Sequence, residues 1–83
     1  MNELAKTIEE IKSLKIQGAT NITIASLRAL LSLSQEEIPE AIEDLISARP
    51  TEPLFENCLN LVRTRGKLVI LPTLDRLQKD QVL

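Results

Sequence analysis

Three short stretches of this chain hold the groups that could do chemistry. The first is Arg49-Pro50-Thr51, followed by Pro53-Leu54-Phe55. Pro50 disfavours helical geometry at Arg49, the Thr51 hydroxyl can accept a backbone N–H as a helix N-cap, and Pro53 falls in a first turn, where a missing N–H is tolerated. A guanidinium is thereby left beside a helix N-terminus rich in unpaired donors, a setting that suits an anion. A bond from Arg49 to Glu52, or to the carbonyls that end the preceding helix, would occupy the same group structurally. The second stretch is Gln17-Gly18-Ala19, whose glycine turn can offer backbone N–H groups to a phosphate or can serve as a helix stop. The third is Cys58, a nucleophile in principle. It shares a helical face with Leu54, Leu61 and Val62, and apolar burial raises a thiol pKa and makes it inert.

Other charged groups read as solvated surface. The pairs Glu9-Glu10, Glu36-Glu37 and Glu43-Asp44 occupy adjacent helix positions that point about 100° apart, so neither pair member can back up the other in acid–base work. Arg63, Arg65 and Lys67 follow a helix end, where cations interact with the last carbonyls of that helix. The absence of histidine removes the commonest metal ligand and the usual neutral-pH proton shuttle, and no metal site or cofactor is expected. A net charge of −2 gives no bulk attraction to nucleic acid or to an anionic membrane, and base stacking has only Phe55 to draw on. One cysteine excludes an internal disulfide, and with no signal peptide or long apolar span a cytoplasmic location is expected.

The elements that must position these groups are helical. Hydrophobic residues make up 43% of the 83, almost all Leu, Ile, Ala and Val, so the core is aliphatic. One all-α domain over residues 1–83 follows, a bundle of four to five short helices. The first should run from Glu3 to Ile16, with Asn2 as N-cap, Leu4, Ile8, Ile11 and Leu14 on its apolar face, and Gly18 ending it. Thr20 or Asn21 should cap a second helix bearing Ile24, Leu27, Leu30 and Leu31, nearly all apolar and central. Ser34-Gln35-Glu36-Glu37 fits a capping box, but Pro39 would then lie inside the helix, so a start near Ile38 is preferred. From Leu54 a fourth helix packs Leu54, Phe55, Cys58, Leu59, Leu61 and Val62, leaving Glu56, Asn57, Asn60 and Arg63 outward. Gly66 stops it. Residues 67–71 are compatible with strand, helix or an extended arm, before Pro72-Thr73 opens a last amphipathic segment with Leu74 and Leu77.

Two of these motifs carry a family resemblance. Arg49-Pro50-Thr51 before an amphipathic helix, and Ile11-Lys12-Ser13-Leu14-Lys15-Ile16-Gln17-Gly18-Ala19-Thr20-Asn21-Ile22 before it, resemble the N-terminal helical domain of one superfamily. That superfamily joins the alpha, beta and delta subunits of translation initiation factor 2B to the isomerases of ribose 1,5-bisphosphate and 5-methylthioribose 1-phosphate. The likeness spans residues 3–63 and implies phosphate-binding roles for Gln17, Gly18, Ala19, Arg49 and Thr51. Gln17 stands where the family has arginine, which keeps a donor and loses the charge, and so leans toward the regulatory branch. The family's C-terminal Rossmann-like domain, which brings the catalytic Cys and Asp, has no counterpart in these 83 residues, and no catalytic residue is expected here.

The resemblance therefore implies a non-catalytic interaction module in translation initiation. Its expected partner is the alpha subunit of initiation factor 2, or a second copy of the chain through uncovered apolar segments. The alternative is a detached N-terminal part of a sugar-phosphate isomerase, contributing to the binding of a phosphorylated sugar or nucleotide during aldose–ketose isomerisation.

Overall fold

The bundle is assembled around the stretch of highest apolar density, helix α2 (Ala19–Leu31). Ile22, Ile24, Leu27, Ala29 and Leu30 are buried along it together with Thr23 and Ser26, while Asn21 and Arg28 stay exposed. A helix apolar on most of its circumference must be enclosed by others. Helices α1 (Glu3–Lys12), α4 (Pro53–Arg65) and α5 (Ile70–Gln81) pack against it, and α3 (Ile38–Ala48) packs against α1 and α4. This is a computed structural model, and it describes residues 3–49 and 53–81; among them there is no strand. The radius of gyration, 11.6 Å, is that of a compact domain of this length, about 12 Å.

The first connection differs from the expected one. Helix α1 ends at Lys12, not at Ile16, because the chain closes on itself earlier: the Lys15 N–H donates to the Glu10 carbonyl at 2.9 Å and the Leu14 N–H to that of Ile11 at 3.2 Å. This is the Schellman pattern, which needs a left-handed residue, and Leu14 supplies it with φ 63°. Gly18 consequently does not end α1. It is the N-cap of α2, with φ 89° and ψ 134°, and its carbonyl accepts the Ile22 N–H at 3.0 Å. Only glycine populates that backbone region readily. Thr20 and Asn21 lie within the first turn of α2, so neither is its N-cap.

The capping box forms, but on a 3-10 turn, Gln35–Glu37, that precedes the helix. The Ser34 N–H and hydroxyl each donate to the Glu37 carboxylate at 3.0 Å. Helix α3 then starts at Ile38 with Pro39 in its first turn, where proline costs no hydrogen bond. Residues 67–71 are not extended: Lys67–Val69 is a second 3-10 turn, and α5 begins at Ile70, ahead of Pro72. Burial of Ile70 fixes that outcome, because a helical turn sends Ile70, Leu74 and Leu77 inward together.

Candidate functional site

The residues singled out in sequence fall at two helix junctions. Gln17 and Gly18 are exposed between α1 and α2, and Ala19 is half-buried at the first position of α2. No side chain caps that terminus. The Gln17 amide is already engaged, its Nε2 donating to the Leu14 carbonyl at 3.0 Å, while its own carbonyl accepts from Asn21 Nδ2 at 3.1 Å. Arg49 ends α3. It is half-buried, its N–H donates to the Ile46 carbonyl at 3.1 Å, and its φ of −151° and ψ of 73° have left helical geometry, as a following proline demands. Thr51, together with Pro50 and Glu52, lies outside the described residues, and so does the expected N-cap of α4. Helix α1 packs against both α2 and α3, the helices on which the two motifs sit.

Two of the basic trio do not serve the end of their own helix. Arg63 pairs with Glu43 on α3. Lys67 sends its ammonium to the end of α2 instead, donating to the carbonyl of Leu31, the last residue of α2, and to that of Leu33 just beyond it. The acidic pairs are surface groups, with Glu9, Glu36, Glu37, Glu43 and Asp44 exposed, and no cluster of three metal-ligating side chains occurs among the described residues.

Cys58 keeps the expected company of Leu54 and Leu61 and packs against the core, but at its edge, only half-buried. Phe55, Leu59 and Val62 form the buried stripe of α4, whereas Leu54, Cys58 and Leu61 are only half-buried on the neighbouring stripe. Both α4 and α5 pack on α2 while making little contact with one another, and the gap between them is a cleft of about 280 Å³. Helix α4 lines it with Leu54, Asn57, Cys58 and Leu61, and α5 with Thr73, Arg76 and Leu77. Partial desolvation pushes the Cys58 thiol above its ordinary pKa, and the nearby Arg76 charge opposes that shift without reversing it. The thiol is therefore held protonated at neutral pH, the opposite of an activated nucleophile.

In the sequence Thr73 reads only as the opening of the last helix, and nothing local distinguishes Arg76. The available signal was in α4, whose apolar positions are too many for one core-facing stripe: Leu54, Cys58 and Leu61, spaced four and three apart, form a second. Another cleft, about 190 Å³, opens between Leu4, Leu33, Glu37, Glu40, Ala41 and Asp44 and is acidic at its mouth. No protein-family model, curated protein or solved structure matches the chain.

Proposed function

We propose that this chain is a protein-interaction module of the initiation factor 2B type, which holds a partner and does not transform a substrate. The observation that carries the reading is the pairing of the two family-like motifs with helix junctions. Gln17-Gly18-Ala19 turns α1 into α2, and Arg49 leaves α3 in non-helical backbone ahead of α4. The chemistry of the individual groups favours the regulatory branch over the isomerase one. Gln17 brings a neutral amide that is already bonded to Leu14, where the isomerases' arginine would bring a charge to a phosphate.

The test is a titration of the isotope-labelled chain with the alpha subunit of initiation factor 2, followed by amide resonances. Saturable shifts are the expected result, and an unchanged spectrum at high micromolar partner would overturn the proposal. Inorganic phosphate provides the contrasting arm. Shifts at Gly18, Ala19 and Thr51 that vanish in Arg49→Ala would instead favour the phosphate-binding role of a sugar-phosphate isomerase.

A further inference from the structure

The cleft between α4 and α5 is an apolar gap with a single cation on its lining. Its length follows from Leu54 and Leu61, seven residues and two turns apart, which span about 10 Å and match two turns of a second helix. Its walls are apolar through Leu54, Cys58, Leu61 and Leu77. Arg76 is the one charged side chain lining it, it is exposed, and no carboxylate lines the groove among the described residues.

We infer that this groove docks an amphipathic helix of another protein, one with aliphatic anchors at i, i+3 or i+4, and i+7 and a carboxylate beside them that pairs with Arg76. The inference deepens the interaction-module reading and rests on it. The aliphatic anchors fill the space that α4 and α5 leave open, and burial of their surface supplies the affinity. Arg76 supplies the selectivity, since a cationic helix would place like charges together and an acidic one opposite charges. The acidic cleft beside Glu37, Glu40 and Asp44 would repel the same ligand.

Two synthetic helical peptides of about 14 residues test this, identical in their leucine anchors and differing only in flanking glutamates or lysines. Titrated into the isotope-labelled chain, the glutamate peptide is expected to shift Asn57, Cys58, Leu61, Thr73 and Arg76 saturably and the lysine peptide to bind at least about fivefold more weakly. Arg76→Glu, at an exposed position where the change leaves the core intact, should invert that preference. Equal binding of both peptides, indifference to Arg76→Glu, or shifts centred on Leu68 and Leu71 would overturn the inference. Dimerisation of the free chain through these same residues would overturn it too, by assigning the groove to a second copy. Failure of the initiation factor subunit to bind, with the glutamate peptide bound in the groove, removes only the proposed partner. Binding of that subunit with the groove resonances unmoved removes only the groove.

Discussion

Lys67 ends a helix that is not its own: its Nζ donates to the carbonyl of Leu33 at 2.6 Å, and also to that of Leu31 at 3.2 Å. The last carbonyls of any helix lack intrahelical partners, and a cation placed on them is favoured by the helix dipole as well. The same residue's N–H donates to Gln35 Oε1 at 3.1 Å, so one position ties the end of α2, the turn before α3 and the start of α5 together. Lys67→Met keeps the aliphatic stem and removes the donor. It should cost about 1–2 kcal/mol, seen as a fall of several degrees in Tm.

Leu14 and Gly18 predict changes of opposite sign four residues apart. Leu14 is exposed and held at φ 63°, where a side chain is strained, so Leu14→Gly should stabilise the fold by about 0.5 kcal/mol despite the added freedom of the unfolded chain. Gly18→Ala meets nothing closer than Asn21 Nδ2 at 3.7 Å, so space is not the obstacle. The backbone at φ 89° is, and the substitution should destabilise by about 1–3 kcal/mol in urea unfolding.

Ser26 is fully buried on α2 with no hydrogen-bond partner for its hydroxyl, whereas buried Thr23 on the same helix donates to the Ala19 carbonyl at 2.7 Å. An unpaired buried hydroxyl has lost its water without compensation. Ser26→Ala should therefore raise stability by about 1 kcal/mol, while Thr23→Val, which breaks a bond that is made, should not.

The Cys58 thiol should titrate on the alkaline side of an unfolded one. Its pKa is raised by desolvation, so the contribution to stability is fully present below the unfolded thiol's pKa and is lost as pH rises through the folded one. Alkylation rates measured across pH check this. The folded profile should lie above that of the chain in urea, and Arg76→Ala should move it further up by removing the opposing charge.

Glu37 works at the other end of the pH scale. Its carboxylate accepts first from the Ser34 N–H and then from the Ser34 hydroxyl, and both bonds hold its pKa below the ordinary glutamate value. That contribution is present above the unfolded pKa and is lost as pH falls through the folded one. Glu37→Gln should accordingly lower Tm at neutral pH, with the difference from the parent chain closing in acid, below about pH 4.

Local sequence determined the helical class, the central place of α2 and the start of α3 at Ile38. Each rests on information held within a few residues: the spacing of Ile24, Leu27 and Leu30, the near-absence of aromatic residues, and the tolerance of a first turn for Pro39. Tertiary structure decided the rest. Leu14 takes a left-handed conformation that its own chemistry disfavours, because the closing bonds to Glu10 and Ile11 compensate it. Cys58 packs at the edge of the core and also lines a groove, because α4 and α5 share α2 as a support without closing on each other, and no periodicity records the distance between two helices. Lys67 bonds carbonyls more than thirty residues back, a partnership that exists only once the bundle has brought the end of α2 to it.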